Sequence, residues 1–512
     1  MIRQILKCLP VAAVALGLGH GAALAGKANN TLVWTTDREE AVVDPYYNQT
    51  RELVIIGANV WDTLLYLDGK SNKFHPLLAK SYKWVDNKTL DFVLRDNVKF
   101  HDGHVLTPDD VVYTVAFTTD KSHGVVSLKN VDWMESAEKT GPHSVRIHLK
   151  KPFPAALAYL ALAVPILEKG HYDKAPMSKD GKPDYGAVKP NGSGPYEITQ
   201  IVPGEKVVMK KYAGYFKESP KGQAHIPNLI FRTIKERNTQ IAELLTGGVD
   251  WIWDVPKEQA EKLNESGQLT VKNAKTLRIS YLAFDVDGSS GQKYFMDQRV
   301  REAVAHAINR ESIVKNLVGP ASQVINSPCH PDQFGCTEKV KHWKYDPKLA
   351  KKLLAEAGYP NGFTTDIYAY REREFTEAII SDLAKVGIKA KLTFLQYRKL
   401  RDLVWKGVPP FHNMTWGSYS IPDASACAGH FFSGGKDDPA NDKTVDDEII
   451  KAGQVVDPKE REALYKKAFE RIAEKVYWLP LFTYAKYYAY SKDLDFTPTS
   501  DEIPRFFGAK WK

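Results

Sequence analysis

The chain has 512 residues, of which 43% are hydrophobic and 26% charged, and its formal net charge is +8 at pH 7. This length and composition indicate a globular protein of two or three lobes with ample core. The positive charge is spread along the chain without a dense Lys/Arg block, which excludes nucleic acid as an expected partner. The absence of a fixed-period repeat, a low-complexity tract or a heptad pattern argues against solenoids and filaments.

The first 25 residues have the pattern of a secretory signal peptide. Arg3 and Lys7 precede an apolar run from Leu9 to Leu18, and Ala23-Leu24-Ala25 provides the small residues of a cleavage site. The apolar run is shorter than the roughly 20 residues that a membrane-spanning helix needs. We therefore expect cleavage after Ala25 and a mature periplasmic protein without membrane insertion.

The next recognisable elements are two strands with a helix between them. Residues 90–94 and 145–149 alternate apolar and polar side chains, which predicts two half-buried strands. Between them, Thr107 is placed to cap a helix, with Pro108 in its first turn and Asp110 at the reciprocal capping position.

Three cysteines remain after the predicted cleavage: Cys329, Cys336 and Cys427. Cys329 and Cys336 enclose six residues that include a proline and a glycine, and in an oxidising compartment this spacing predicts a disulfide across a small loop. A metal site with His330 is the alternative, although the spacing fits no zinc pattern. Cys427 is then either a buried free thiol or the true partner of one of the other two.

The second half of the chain carries signals of an α/β lobe. Asp346 and Pro347 begin a predicted helix that ends at Gly358. Another helix is predicted from about residue 375 to Gly387, and the alternation in residues 388–394 predicts that a strand follows it.

Several sequence blocks resemble the bacterial extracellular solute-binding proteins of family 5, the dipeptide, oligopeptide, nickel and opine receptors. The blocks are spread over nearly the whole mature chain, and they comprise Leu78–Trp84, Asp91–Gly103, Thr107–Val111, Gly192–Tyr196, Phe295–Arg310 and Leu353–Phe363.

The resemblance implies an α/β, bilobal, hinged periplasmic-binding-protein fold of type II, in its large three-lobed class, with mixed sheets flanked by helices. We expect lobe I to comprise residues 27–50, 190–282 and 478–512, the accessory lobe II residues 51–189, and lobe III residues 283–477. The two hinge crossings are expected near Tyr281–Phe284 and Trp478–Phe482, which are short apolar strands suited to a buried connection.

The resemblance also implies a function, as the periplasmic solute-binding subunit of an ABC importer. Such a protein captures a peptide or peptide-like solute in the cleft between its lobes and delivers it to the membrane permease. Closure requires that the solute interact better with the closed form than with the open one. The expected partners are a small-molecule or oligopeptide ligand and the permease and ATPase subunits. We expect a monomer without cofactor or metal.

Two stretches combine aromatic rings with polar groups, as a solute-binding cleft requires. The first contains Trp253 and Asp254, and the second runs from Trp416 to Asp423. In the peptide receptors that the chain resembles, residues after the matching tryptophan line the pocket, which makes Trp416, Ser418 and Tyr419 candidate ligand-binding residues. Core packing is the alternative for each tryptophan, because large aromatic side chains are mostly buried.

The chain departs from those receptors at the position of their amine anchor. They carry an aspartate three positions after the matching tryptophan, where this chain has Tyr419. Asp423 could take that role through a short loop rearrangement. If it does not, an opine, a sugar conjugate or a blocked peptide becomes the better ligand. Arg371 is a candidate for holding a ligand carboxylate, with an exposed charge cluster as the alternative.

The local signatures of enzymes are missing. The chain contains no Gly-x-Ser-x-Gly, no His-Glu-x-x-His and no Walker lysine. His101 and His104 lie in an Asp-Gly loop without a convergent third metal ligand. We therefore expect a binding protein and not an enzyme. The alternatives are uptake or chemosensing of a non-peptide solute such as an opine, sugar conjugate or nickel chelate, and an exported hydrolase on the same shell.

Overall fold

The computed structural model describes residues 25–126 and 128–512. Residues 1–24, which hold nearly all of the predicted signal peptide, lie outside the described residues, so its cleavage stays a prediction. Within the described part, no helix combines the length and apolarity that crossing a membrane requires.

The strands form one large mixed sheet, one four-stranded antiparallel sheet and two small pairs. In chain order they are β1 (Thr31–Thr36), β2 (Leu65–Leu67), β3 (Phe74–Pro76), β4 (Ala79–Asp86), β5 (Thr89–Leu94), β6 (Met134–Gly141), β7 (Ser144–Leu149), β8 (Tyr196–Val202), β9 (Lys206–Lys211), β10 (Asn228–Thr233), β11 (Trp251–Ile252), β12 (Leu269–Phe284), β13 (Thr364–Ala369), β14 (Lys389–Phe394), β15 (Phe411–Trp416), β16 (Trp478–Ser491), β17 (Leu494–Asp495) and β18 (Lys510–Trp511).

The α-helices cover the sheets and fill the connections between strands. In chain order they are α1 (Arg51–Val60), α2 (Pro108–Thr119), α3 (Ala156–Leu162), α4 (Arg237–Thr246), α5 (Lys257–Glu265), α6 (Gln298–Ala307), α7 (Arg310–Ile313), α8 (Pro347–Glu356), α9 (Arg373–Ala384), α10 (Tyr397–Val404), α11 (Ser425–Phe431), α12 (Lys443–Ala452) and α13 (Pro458–Lys475).

The elements with strong local signals are confirmed. The two predicted strands are β5 and β7, which pair with each other in the four-stranded sheet of order β4-β5-β7-β6. Thr107 caps α2 in a reciprocal capping box with Asp110. The Asp346 side chain caps α8, and α9 is followed directly by β14, as the pattern predicted.

Two long antiparallel strands, β12 and β16, run through the middle of the large sheet, whose order is β14-β13-β15-β12-β16-β11-β1-β10-β9-β8. In one half of the sheet, residues 269–275 pair with 485–491, and β16 also pairs with β11. In the other half, residues 279–283 pair with 478–483, and β12 also pairs with β15. These strands therefore carry the chain between the two halves.

The pairing of β12 and β16 is irregular between Lys275 and Ile279. At this point the Thr276 hydroxyl, which is buried, donates a hydrogen bond of 2.9 Å to the Tyr484 carbonyl. The irregularity falls a few residues before the predicted crossing near Tyr281–Phe284. The division into three lobes stays a prediction, and this change of register favours a boundary somewhat before residue 282.

The three cysteines that follow the predicted signal peptide lie in the described residues. Cys329 and Cys336 are joined by a disulfide, and Cys427 is a buried free thiol that donates to the Pro328 carbonyl at 2.7 Å. Burial raises the pKa of Cys427, because the apolar surroundings disfavour the thiolate. Cys427 is therefore an inert core residue.

Candidate functional site

Two adjoining cavities lie between the halves of the molecule. The first, of about 570 Å³, is here called the cationic cavity, and its walls include Arg51, Arg278, Arg371 and Lys486. The second, of about 550 Å³, is called the aromatic cavity. Its walls include the aromatic side chains of Tyr281, Tyr397, Trp405, Phe431 and Trp478. Tyr397, Thr415, Trp416 and Tyr419 line both, so the two cavities meet at the end of β15.

The base of the cationic cavity is organised around the buried carboxylate of Glu502. The Arg278 guanidinium lies 3.2 Å and the Lys486 ammonium 3.0 Å from this carboxylate, and Arg51 lies 3.9 Å from it. Burial by itself would raise the pKa of Glu502, but these cations outweigh it and hold the pKa well below its usual range. Glu502 is therefore ionised and fixes the three cations beneath the cavity.

Arg371 is held at the wall of the same cavity by two acidic side chains. Its Nε donates to Glu372 at 3.0 Å, and its Nη2 lies 4.0 Å from Asp254. Burial opposes the charge of Arg371, but Glu372 and Asp254 outweigh it and raise the pKa of Arg371 well above its ordinary value. Within the described ranges, neither terminal nitrogen forms a hydrogen bond to another residue, so this guanidinium at the cavity wall has donors to spare.

Trp253 and Asp254 both line the cationic cavity, where they position Lys486. The Lys486 ammonium lies 4.1 Å from the centroid of the Trp253 ring and 3.0 Å from Asp254. Trp253 is nearly fully buried. The neighbouring Trp251 is core, packed against Trp34 and Phe506.

The predicted loop after β15 forms the wall between the two cavities. Trp416 stacks on His430 at 4.5 Å and donates from Nε1 to the Ala426 carbonyl at 2.9 Å. The next residues, Ser418, Tyr419 and Ser420, all have left-handed backbone, with φ of 50°, 52° and 65°. Such conformations are costly for non-glycine residues and are found preferentially at binding sites. They turn the Tyr419 ring toward both cavities.

The loop is also tied to the opposite wall. Arg51, at the start of α1, donates from Nη1 to the Ser420 hydroxyl at 2.7 Å. Gly417 packs against Arg278 so closely that a Cβ there would lie 2.8 Å from a guanidinium nitrogen. The arginines of the cationic cavity therefore support the loop that carries Tyr419.

Asp423 is not at the site, contrary to the role proposed for it from the sequence. Its two carboxylate oxygens accept hydrogen bonds of 3.0 Å from Arg461 on α13, and the Ser425 amide donates to it at 3.0 Å. The pair is buried, and Asp423 lines neither cavity. The loop rearrangement that would bring Asp423 to a ligand amine would leave Arg461 buried without its partner, which is a large cost.

Sequence reasoning missed Arg51, Arg278, Lys486 and Glu502. A signal existed for two of them, because Arg278 and Lys486 interrupt otherwise apolar, buried stretches of β12 and β16. A charged residue in a central strand needs a buried partner. Glu502 and Arg51 had no comparable signal. Within residues 25–126 and 128–512, no group of three His, Cys, Asp or Glu side chains has the arrangement of a metal site.

Comparisons with known proteins show to which family the chain belongs. Residues 73–438 match the model of the bacterial extracellular solute-binding proteins, family 5 middle region. The chain is 30% identical over 480 residues to the glutathione-binding protein GsiB of Shigella flexneri, with 88% of each covered.

Two solved structures have a fold similar to that of this chain. The ABC transporter-associated periplasmic binding protein DppA of Helicobacter pylori, in complex with the peptide STSA, has 26% identity and a TM-score of 0.79, and the match covers 96% of this chain and 99% of that one. The binding protein MoaA of Agrobacterium tumefaciens R10, in complex with mannopinic acid, has 21% identity and a TM-score of 0.78, covering 94% and 99%. The predicted bilobal type II fold is thereby confirmed. The chain belongs to the bacterial extracellular solute-binding proteins of family 5, the solute-capturing components of ABC importers.

Proposed function

We propose that this protein is exported to the periplasm, where it captures a peptide or peptide-like solute with a free carboxylate and delivers it to an ABC permease. The observation that carries the proposal is Arg371, an ionised guanidinium at the wall of the cationic cavity whose terminal nitrogens are free to donate.

Arg371 suits a carboxylate because its planar fork can form two parallel hydrogen bonds to the two oxygens. Its acidic neighbours, Glu372 and Asp254, hold it at the cavity wall, and only its Nε is used in a hydrogen bond to a residue of the described ranges. Lys486 lies 3.0 Å from both Asp254 and Glu502, and Arg278 lies 3.2 Å from Glu502, so both cations are already paired at short range. In the described ranges the terminal nitrogens of Arg371 form no hydrogen bond, and Arg371 is therefore the cation that we assign to a ligand group.

The relatives support a peptide-like ligand. GsiB is named for glutathione, and the H. pylori protein was solved with the peptide STSA. Both ligands carry free carboxylates. Each cavity has the size of a site for a small ligand, about 300–1,000 Å³, so the two together suit a ligand of a few residues.

A non-peptide solute is the second candidate, and Tyr419 favours it. The residue at this position is neutral, so the cationic cavity lacks the aspartate that holds the amine in the receptors the chain resembles. An opine such as the mannopinic acid of the A. tumefaciens relative keeps the carboxylate that Arg371 would hold.

The proposal is tested by a thermal-shift screen of the protein comprising residues 26–512. The ligands are a tripeptide library, glutathione, mannopinic acid and the amide-capped form of the library, which lacks the free carboxylate. A ligand that binds only the native state raises the melting temperature by mass action. We expect a rise with at least one carboxylate ligand and none with the capped library. A rise only with capped peptides, or hydrolysis of any ligand, would contradict the proposal.

A further inference from the structure

We propose that Asp437, in the aromatic cavity, holds the ammonium group of a zwitterionic peptide whose carboxylate lies at Arg371. This inference rests on the proposed function and adds the orientation of the ligand: the chain end bearing the carboxylate occupies the cationic cavity, and the amino end passes Tyr419 into the second cavity.

The first support is that the two cavities are contiguous. Tyr397, Thr415, Trp416 and Tyr419 line both, so a ligand that extends past the Tyr419 ring leaves one cavity and enters the other. Asp437 lines the aromatic cavity only. The two proposed anchors are therefore on opposite sides of the shared wall, as the two ends of one extended ligand would need.

The second support is the state of the Asp437 carboxylate. One oxygen accepts a hydrogen bond of 2.7 Å from the Trp405 Nε1, and the other lies 3.6 Å from the His430 Nε2. Asp437 forms no ion pair with a lysine or arginine anywhere in the described ranges. In the described ranges the Trp405 N–H is therefore the one side-chain donor within hydrogen-bond distance of Asp437, and the His430 N–H lies slightly farther away, which leaves capacity for a strong donor.

His430 does not supply the missing positive charge. Burial lowers the pKa of His430 to about 4, so the imidazole is neutral near pH 7. The Lys129 ammonium, which can only donate, lies 3.4 Å from the His430 Nδ1, so Nδ1 accepts and Nε2 carries the proton. The neutral ring thus orients its N–H toward Asp437 without neutralising it.

The other three carboxylates of the aromatic cavity already accept hydrogen bonds from backbone amides. Asp287 accepts from the Ser289 amide at 3.0 Å. Asp285 accepts from the amides of Ser289 and Ser290 at 3.0 and 2.9 Å. Asp438 accepts from the amides of Gly434 and Asn441 at 3.1 and 3.2 Å. These groups hold loops in place, and Asp437 remains as the carboxylate available to a ligand.

The aromatic surroundings suit an ammonium group. Three large rings that line this cavity are unusually exposed, namely Tyr397 at 42%, Trp405 at 40% and Tyr419 at 43%. One face of Trp405 is already covered by Arg401, 4.4 Å from the ring. The faces of Tyr397 and Tyr419 stay available for cation–π contact with an amine held at Asp437.

The experiment compares Asp437→Asn with the wild-type protein and with Asp447→Asn. Asp447 is an exposed carboxylate on α12 that lines neither cavity, so its replacement removes the same charge without touching the site. The probes are a free-amine tripeptide library and its N-acetylated counterpart, titrated by calorimetry, with the melting temperature of each variant measured without peptide.

We expect Asp437→Asn to weaken the free-amine library about 10- to 100-fold, the range for losing a charge-assisted hydrogen bond, and to leave the acetylated library within about twofold. The wild-type protein should prefer the free-amine library by a similar factor, a comparison that does not depend on how well the variant folds. Equal binding of the two libraries by the wild type, or unchanged free-amine affinity in Asp437→Asn, would overturn the inference while leaving the proposed function intact. Binding of neither library by the wild type would overturn this inference, and it would overturn the proposed function as well if glutathione and mannopinic acid also fail to bind.

Discussion

Replacing Arg371 with glutamine should abolish tight binding of carboxylate ligands while leaving the fold intact. The side chain is buried enough for its interactions to be strong, with Nε 3.0 Å from Glu372 and Nη2 4.0 Å from Asp254. Removing one partner of a desolvated, hydrogen-bonded charge pair costs about 2–4 kcal/mol, which is about 30- to 1,000-fold in affinity.

The effect on stability should be smaller than the effect on binding. Glu372 keeps its hydrogen bond of 3.0 Å from the Tyr484 hydroxyl, and Asp254 keeps its contact with Lys486 at 3.0 Å. Burial raises the pKa of Glu372, so this residue can take up a proton when Arg371 is gone. We therefore expect the melting temperature without ligand to fall by only a few degrees, consistent with about 1 kcal/mol.

The matched control is Arg373→Gln, two positions along the chain. Arg373 pairs with Glu377 at 2.7 Å on the surface of α9, has a side chain that is 57% exposed and lines neither cavity. Calorimetry with the tripeptide library should show wild-type affinity for this variant. Equal affinities of Arg371→Gln and Arg373→Gln would refute the carboxylate role of Arg371.

Three further substitutions test ligand binding by the loop after β15, the stability that a buried ion pair provides, and the pH dependence of stability. Trp416→Ala should weaken tripeptide binding at least 10-fold by calorimetry, because it removes the ring that supports Tyr419; a fall in melting temperature with unchanged affinity would show that Trp416 is only core. Asp423→Asn should lower the free energy of unfolding by about 3 kcal/mol in urea titrations, because it breaks the buried pair with Arg461, and should leave tripeptide affinity unchanged. Glu40→Gln tests pH dependence: burial raises the pKa of Glu40 to about 7, so the folded state binds more protons than the unfolded one between about pH 4.5 and 7, and stability falls as the pH rises through that window. The variant should be more stable than wild type at pH 8 by about 1–3 kcal/mol and nearly equal at pH 4, and an unchanged difference between the two pH values would contradict this cause.

The parts of the fold that could be predicted are those with local causes. The cap of α2 depends on Thr107 and Asp110, three residues apart, and the strand conformation of β5 and β7 follows from alternating side chains. The stretches around Trp253 and Trp416 were predicted to bind the ligand because aromatic and polar groups in one loop are typical of binding sites. Both line the cationic cavity, and their role in binding stays a prediction.

The charged base of the site could not be predicted because its members are far apart in the chain. Glu502 and Arg278 are separated by 224 residues and meet only because the C-terminal segment returns to the central strands. The pair of Asp423 with Arg461 could not be predicted for the same reason, since Arg461 lies 38 residues away on a helix whose docking no local pattern encodes.

The proposed function requires that the halves of the molecule close around a solute bound at both cavities. Small-angle X-ray scattering of residues 26–512, with and without a saturating tripeptide shown by calorimetry to bind, tests it most directly. A smaller radius of gyration in the presence of the tripeptide is the predicted result, since closure must be driven by contacts that only the closed form makes. An unchanged scattering profile at full occupancy would contradict the account.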